Sequence, residues 1–402
     1  MKILLYTDLA VRTDQLFWHR DLGLLTKAFR DLGHEACLVV HPATEPSATP
    51  TVPNELDHPR EQPFEAPPER SKVWSEVGPH SEIRNSKSPI PPVLWVSQQD
   101  VRDPLWWQSQ KPDLVILGLW TRPKYDPIRR AALSATPHVV ERADSDGMRT
   151  ASCGLLTYAK RRFDYFRDLT YHWPSLLSIP ASIFYSFASI LATPWIETRL
   201  ARTLKLLPAV AVETPHATAL WKSLATRLGI NPQKIHCIPH PIQTDIFKFD
   251  PTIQKKNQII SVGRWESYQK NLPLLLKTLR AFLNKNSSWI SLVIGSGLPP
   301  RSPHPRITFL PSLPPSDLAR HMQESKVFFF SSRFESFGLA SAEALACGCA
   351  TLDPKSLLDF NNSTKYNSNS FSMNDTYLCF NAAHATNRLD PRHIAENFLS
   401  LI

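Results

Sequence analysis

Short apolar runs alternate with stretches of helical periodicity along the first half of the chain. The run KILLYTD, from Lys2 to Asp8, predicts a strand, and the following QLFWHRDLGLLTKAFRDLG predicts a helix that ends at Gly33. Further strands are predicted by EACLVVHP, PDLVILGLW, TPHVVERAD and PAVAVETP, with helical segments between them. Such strand–helix alternation is typical of a parallel, doubly wound sheet.

The alternation starts again after a polar, proline-marked stretch from His240 to Pro251. Strands are predicted by QIISVGRW, WISLVIGSG, KVFFFSS and CATLDP, and helices by NLPLLLKTLRAFLN, PSDLARHMQES and GLASAEALACG. The predicted fold class is therefore α/β, with two doubly wound Rossmann-like domains, at 1–245 and 246–402, that face a cleft. Ligands of such sheets bind at the carboxyl ends of the strands.

One segment of the first half breaks this pattern. Twelve of the 36 prolines lie between Pro42 and Pro92, together with many Glu and Ser residues and few clustered apolar ones. This composition predicts an exposed, flexible insertion over 43–92.

A second unusual segment, from Leu169 to Ile196, contains no formally charged residue in 28 positions. Its length would span a bilayer, but Pro174, Pro180 and Pro194 divide it. Basic residues precede this aromatic-rich run, a combination that is typical of a helix lying in an anionic membrane surface. Membrane contact over 169–196, a buried helix of the first domain and a true span are the alternatives.

The net charge and the cysteine content indicate which binding partners and which cellular compartment to expect. The net charge of +9 suits phosphates or acidic lipid headgroups, whereas no nucleic-acid-binding module is recognisable. The six cysteines form no CxxC pair, which indicates free thiols in a reducing compartment. The start MKILLYTDLA is too short an apolar run for a secretory signal. We expect a cytoplasmic protein, either free or on the inner face of the cell membrane.

Two glutamates are the first candidates for chemistry. Glu335 and Glu343 lie in the stretch RFESFGLASAEALACG, eight positions apart. In one continuous helix they would point about 80° apart and would not share a face. The preceding strand and Gly338 predict instead that Glu335 lies in a strand-end loop and that a helix begins near Phe337 or Gly338. The N–H groups of about Phe337, Gly338 and Leu339 would then face the cleft and bind hydroxyl or phosphate oxygens.

Two cations follow an earlier strand of the same predicted domain. In SVGRWESYQKN, Arg264 and Lys270 come after Gly263 and are six positions apart. Two cations at the carboxyl end of a strand suit a diphosphate, which Arg binds with a bidentate fork and Lys as a point charge. Because this pair and the glutamates follow equivalent strands, we expect them to face one ligand.

These two stretches resemble the donor-binding signature of retaining glycosyltransferases of family 4, which have the GT-B fold. That family shows Gly-Arg with a Lys six positions after the Arg, and then Glu-x7-Glu with Phe-Gly-Leu inside. GRWESYQKN and ESFGLASAEALACGCATL match both spacings. The strong resemblance covers roughly residues 258–354, and the first half matches only in its strand–helix order.

The resemblance implies a role for each matching residue. Arg264 and Lys270 would contact the nucleotide diphosphate and steady the leaving group, Glu335 would hold donor-sugar hydroxyls, and Glu343 would bind the ribose. The other implied donor contacts are Gly263, Gly295, Gly297, Phe337, Gly338 and Leu339. The implied activity is hexosyl transfer from a nucleotide-diphosphate sugar to a glycan or lipid-linked acceptor, as in polysaccharide biosynthesis. Such enzymes usually need no metal or other cofactor, since the cations offset the charge on the diphosphate.

The chain departs from the family pattern in three places. The loop TDLAVRTDQ has no glycine where the family often has Gly-Gly. The family often has a histidine near the reaction centre, but the counterpart strand here reads VVERADSDG, so Arg142, Asp144 or Asp146 would serve on the acceptor side. After Pro354 the Gly-rich turn is missing, and no clear long helix returns to the first domain.

Two other functions are open on the sequence. One is a sugar-nucleotide epimerase of the same architecture, although the paired cation and glutamate spacings favour transfer. The other is a nucleotide-sugar-binding protein without catalysis, for which the missing glycine loop and the short C-terminus argue.

Overall fold

The computed structural model describes residues 1–8, 21–41, 93–143, 154–358 and 386–402. It contains one parallel sheet of seven strands and a second parallel sheet of five strands, each flanked by helices. The insertion predicted over 43–92 and the glycine-free loop after the first strand lie outside the described residues, apart from Thr7 and Asp8.

The first sheet is built by the N-terminal half of the chain. Its strands are β1 (Lys2–Thr7), β2 (Glu35–Val40), β3 (Val93–Trp95), β4 (Leu114–Gly118), β5 (Val139–Arg142), β6 (Ala209–Val212) and β7 (Ile235–Cys237). They lie in the order β3-β2-β1-β4-β5-β6-β7, with every neighbouring pair parallel. Because helices cover both faces, strands such as β4 are apolar and buried along their whole length.

Seven α-helices accompany this sheet in the described part of the chain. They are α1 (Asp21–Asp31), α2 (Pro104–Gln110), α3 (Asp126–Leu133), α4 (Leu155–Leu169), α5 (Ser175–Leu191), α6 (Thr193–Leu206) and α7 (Pro215–Arg227). In the core between α3 and β5, the fully buried Arg129 guanidinium pairs with the fully buried Glu141 carboxylate. The backbone N–H of Thr121 donates to Glu141 at 2.6 Å, so this buried charge has partners on two sides.

The second sheet is built by the C-terminal half. Its strands are β8 (Lys256–Val262), β9 (Ile290–Ile294), β10 (Ile307–Leu310), β11 (Ser325–Phe329) and β12 (Ala350–Leu352), in the order β10-β9-β8-β11-β12. Its helices are α8 (Leu272–Lys285), α9 (Pro315–Glu324), α10 (Leu339–Ala346) and the short α11 (Pro354–Leu358). All pairs are again parallel, so the strand ends that follow β8, β9 and β11 lie at one edge.

The last helix, α12 (Pro391–Leu399), does not stay with the second sheet. Its residues Ile394 and Phe398 are fully buried in a core cluster with Leu25 and Phe29 of α1. A short helix therefore returns to the first sheet, where the sequence showed no clear long one. The helix is only nine residues long, which is why its sequence signal is weak.

No single helix among the described residues is long and apolar enough to cross a membrane, but the bent pair α5 and α6, which meet at 63°, passes the same test of length and composition.

Candidate functional site

A cavity of about 600 Å³ opens at the carboxyl ends of β8, β9 and β11, a size typical of small-molecule sites. Nine of the ten predicted catalytic and donor-binding residues line it: Gly263, Arg264, Lys270, Gly295, Glu335, Phe337, Gly338, Leu339 and Glu343. Gly297 is the tenth and is not among the lining residues. The structure therefore brings both sequence stretches to one site, and the roles of the individual residues stay predictions.

The floor of the cavity depends on close backbone contact between two strand-end loops. Gly295 follows β9 with φ of +137°, and a Cβ atom on it would lie 1.8 Å from the Gly263 carbonyl oxygen. The Gly263 N–H donates to the Ile294 carbonyl at 3.1 Å, which holds the two loops together. Only glycine suits Gly295, since a side chain would be strained by φ and would collide with the neighbouring loop.

Gly297 also allows the strand-end loops after β8 and β9 to lie close together, although it does not line the cavity. It has φ of +70°, and a Cβ atom would lie 2.4 Å from the backbone N of Glu266. Next to it, the Ser296 hydroxyl donates to the Glu266 carboxylate at 2.9 Å. Its geometry thus gives Gly297 a packing role, whether or not it also contacts a nucleotide.

Lys270 and Glu335 contact each other directly across the cavity. The Lys270 ammonium donates to Glu335 Oε1, to which the Ser332 hydroxyl also donates at 2.6 Å. The Gln269 amide donates to the Phe334 carbonyl at 2.9 Å and fixes the loop that carries Glu335. Arg264, by contrast, is exposed at the rim of the cavity. The site therefore holds one paired cation inside and a second cation at its mouth.

Helix α10 begins at the wall of this cavity. Gly338 is its N-cap residue with φ of +77°, and the helix runs from Leu339 to Ala346. Leu339, Ala340 and Ser341 all line the cavity, and the N–H groups of a first helical turn have no partner within the helix. The helix starts one residue later than the sequence predicted, and Glu343 follows in its second turn, also on the lining.

His240 lines the same cavity from the side of the first sheet, and sequence reasoning missed it. Its Nε2 contacts Glu213, its Nδ1 lies 3.2 Å from Asp21 Oδ1, and its ring meets the Phe337 ring edge-on. Burial on its own would lower the pKa of His240, but the carboxylates of Glu213 and Asp21 outweigh it and raise the pKa to about 9. The imidazole is therefore positively charged at neutral pH. The sequence signal that could have identified His240 is its position shortly after β7, the last strand of the first sheet.

Arg142, which was expected on the acceptor side, is buried beneath the segment that joins the two sheets. Its guanidinium donates to the Ile238 and Pro239 carbonyls at 3.3 and 3.1 Å and lies 5.2 Å from the centre of the Phe398 ring. Burial lowers the pKa of Arg142, while Asp21 and Glu213 act in the opposite direction. It is not among the residues that line the cavity. Asp144 and Asp146 lie outside the described residues.

Within the described ranges, no group of three or more His, Cys, Asp or Glu side chains could hold a metal ion. The thiols of Cys347 and Cys349 are both free and buried. Burial is the main cause that raises the pKa of each, in the case of Cys349 to about 12.

Residues 243–352 match the model of the family described as Glycosyl transferases group 1. This segment is similar to that family. It contains all ten predicted catalytic and donor-binding residues and stops short of the first sheet, His240 and Arg142. Among curated proteins, none matches the chain.

Solved structures resemble the whole fold at low sequence identity. The OtsA apo structure is 10% identical with a TM-score of 0.52, over 99% of this chain and 98% of that chain. The α,α-trehalose 6-phosphate synthase from Burkholderia multivorans is also 10% identical, with a TM-score of 0.51 over 99% of this chain and 97% of that chain. These likenesses confirm the predicted fold class, the GT-B arrangement of two Rossmann-like domains.

TarM from S. aureus, solved with fondaparinux, α-GlcNAc-glycerol and UDP, is a more distant likeness. It is 11% identical with a TM-score of 0.40, over 73% of this chain and 52% of that chain. The chain described here thus spans about half the length of that protein.

Proposed function

We propose that this chain is a glycosyltransferase that moves a sugar from a nucleotide-diphosphate sugar to a glycan or lipid-linked acceptor. The observation that carries the proposal is the cavity at the strand ends of the second sheet. It joins Arg264, Lys270, Glu335, Glu343 and the first turn of α10 within the segment that is similar to glycosyl transferases group 1.

The positive groups of the cavity suit a diphosphate. Arg264 at the mouth offers a bidentate fork, Lys270 a point charge, and α10 the N–H groups and partial positive charge of a helix start. During transfer, negative charge accumulates on the departing diphosphate, and donors that are already in place stabilise it without reorganisation.

The pairing of Lys270 with Glu335 suggests how the donor enters. A diphosphate would compete with the Glu335 carboxylate for the Lys270 ammonium. Once released, Glu335 would accept hydrogen bonds from sugar hydroxyls, while Ser332 keeps the carboxylate oriented. Glu343, one to two turns into α10, would accept from the ribose hydroxyls. The diphosphate, the sugar and the ribose of one extended ligand would therefore be bound by different residues of the cavity: Arg264 and Lys270, Glu335, and Glu343.

Several finer properties belong to the same proposal. Membership of family 4 and retention of the anomeric configuration rest on the Arg-x5-Lys and Glu-x7-Glu spacings. Independence of metal is supported by the cations that would neutralise the diphosphate. Polysaccharide biosynthesis rests on the resemblance alone, and a cytoplasmic location rests on the cysteine pattern. Proton NMR of the product gives the anomer, and transfer in the presence of EDTA tests the need for a metal.

The proposal is tested with a panel of nucleotide sugars. A thermal-shift screen finds the donor, because a ligand that binds only the folded state raises the melting temperature. Transfer of the labelled sugar to glycan and lipid extracts then follows for Lys270→Ala and Glu335→Gln. The matched control is Lys277→Ala, an exposed lysine of α8.

We expect a loss of transfer of roughly a hundredfold or more for the two site variants, as for other groups that stabilise transition-state charge. The control should keep wild-type activity. Full activity in both site variants would refute the assignment. An epimerised donor formed without acceptor would identify an epimerase, and donor binding without any transfer would identify a binding protein.

A further inference from the structure

Helix α5 turns its apolar side outward and its polar side inward. Ser178 and Ser182 are fully buried, whereas Leu176 is 88% exposed and Phe184 is 74% exposed. The helices of water-soluble proteins have the opposite arrangement, with the apolar stripe facing the core. We define the apolar face as the exposed large apolar side chains of α5: Leu176, Leu177, Ile179, Ile183, Phe184, Phe187 and Leu191.

Hydrogen bonds fix this orientation. The Ser186 hydroxyl donates to the Ala159 carbonyl of α4 at 2.6 Å, and Ser178 shares a hydrogen bond of 2.6 Å with Thr170 at the end of α4. Small serine side chains let the two helices approach closely, as small residues do between helices in membranes. Rotating α5 to bury its leucines would break these bonds and expose its serines, so the apolar face is a built feature of the fold.

The apolar face continues onto the neighbouring helices and ends in aromatic residues. Leu156 of α4 is 89% exposed. Trp173 lies just before α5, Trp195 lies just after it, and both are exposed. Tryptophan is enriched where apolar and polar layers of a membrane meet, since its ring is apolar and its N–H group is polar.

The exposed charged residues of α4, α5 and α6 are all positive. Lys160 lies one turn after Leu156 on the exposed side of α4, and the Arg199 guanidinium lies 4.8 Å from the centre of the exposed Trp195 ring. The nearest acidic residues in sequence are directed elsewhere. Asp168 accepts from the Gln269 N–H at 3.0 Å, and Glu197 pairs with Arg227 at 2.7 Å.

We propose that the apolar face docks onto an anionic lipid bilayer, with α5 lying in the plane of the membrane interface. The apolar side chains would enter the boundary between headgroups and acyl chains, and Lys160 and Arg199 would face the acidic headgroups. A second copy of the chain is a poorer occupant, because it would bring the same cations of both copies together.

Docking at this face would also fix the position of the donor cavity relative to the membrane surface. Helix α4 lies directly behind α5 and contacts the loop that leads to Lys270: the Tyr268 hydroxyl donates to Asp164 at 3.3 Å. The loop of the donor site thus rests on the helix pair that would lie on the membrane. An acceptor held in the bilayer would meet the cleft from this side.

Vesicle sedimentation of the full chain tests the proposal. Vesicles of phosphatidylcholine with phosphatidylglycerol are compared with vesicles of phosphatidylcholine alone, for the wild type and for Phe184→Ser/Leu191→Ser. Leu105→Ser is the matched control, since Leu105 is 70% exposed but lies on α2. Circular dichroism checks folding, and light scattering gives the oligomeric state.

We expect the wild type to bind the anionic vesicles, the double variant to bind at least about tenfold more weakly, and the control to bind as the wild type does. Equal binding by the double variant, equal binding to uncharged vesicles or no binding by the wild type would each overturn the proposal. A wild-type dimer that the double variant disperses, without vesicle binding, would assign the face to a second copy. The nucleotide-sugar thermal shift, measured without lipid, reports on the proposed function separately.

Discussion

His240 offers a sharp test of the electrostatics at the junction of the two sheets. Its ring contacts Glu213, lies 3.2 Å from Asp21 and has its pKa raised to about 9 from an ordinary value of 6.5. The folded state therefore binds a proton more tightly than the unfolded chain does. The stabilisation is fully present below about pH 6.5 and is lost as the pH rises through about 9.

The size of this effect follows from the two pKa values. At about 1.4 kcal/mol for each pH unit, the gap between 6.5 and about 9 corresponds to about 3 kcal/mol of free energy of unfolding. His240→Asn keeps a polar side chain of similar reach but removes the titration. Between about pH 6 and about pH 10, the wild type should therefore lose about 3 kcal/mol more stability than the variant.

Urea unfolding followed by circular dichroism, repeated across this pH range, measures the difference. His393→Asn is the matched control for the substitution itself, because the His393 side chain is half exposed on α12. Parallel pH curves for the wild type and His240→Asn would refute the reasoning, since they would mean that His240 binds its proton no more tightly when folded.

Three further substitutions test the packing around the two sheets. Gly295→Ala should lower the free energy of unfolding by more than about 3 kcal/mol, because its Cβ would lie 1.8 Å from the Gly263 carbonyl oxygen. Its control Gly33→Ala is also at positive φ but has nothing within 4 Å of the added Cβ, so it should cost only about 1–2 kcal/mol. Equal losses for the two variants in urea unfolding would contradict this prediction. Lys255→Met should cost about 2–3 kcal/mol in the same assay, since the Lys255 ammonium donates to the Gln323, Ser325 and Cys347 carbonyls at the ends of α9 and α10. An unchanged unfolding midpoint would count against this prediction. Arg129→Met should cost about 3–5 kcal/mol because it leaves Glu141 buried without its cation, and the double variant with Glu141→Leu should recover a large part of the loss.

The sequence predicted the elements whose pattern is long and periodic. All of the apolar runs quoted as strands are strands, because a parallel sheet covered on both faces requires continuous apolar residues. The strands β3, β7 and β10 were not predicted, and each of them lies at the edge of its sheet and is only partly buried. Their pairing is decided by the neighbouring strand, which local periodicity cannot reveal.

Four charged residues that line the cavity could also be predicted from the sequence. Arg264, Lys270, Glu335 and Glu343 occur at fixed spacings after strands, and parallel strands bring their ends to one edge. His240 was not found, because its partners Glu213 and Asp21 come from distant parts of the chain.

For the segment from Leu169 to Ile196, the sequence did not predict which side chains are exposed. The composition of this segment is unusual, but only the structure shows that four of the five serines of α5 are buried and that its leucines are exposed. Hydropathy gives the amount of apolar surface, whereas the hydrogen bonds between α4 and α5 decide which side of the helix is exposed.

The most direct test of the central claim is calorimetric titration with a panel of nucleoside diphosphates. At least one of them should bind the wild type, and its binding to the Arg264→Ala/Lys270→Ala variant should be at least about tenfold weaker, because both cations line the cavity in which the diphosphate is proposed to bind. The matched control Lys277→Ala/Arg280→Ala, which removes two exposed cations of α8, should bind as the wild type does. Equal affinity for the wild type and the site variant, or no binding of any nucleoside diphosphate, would contradict the account.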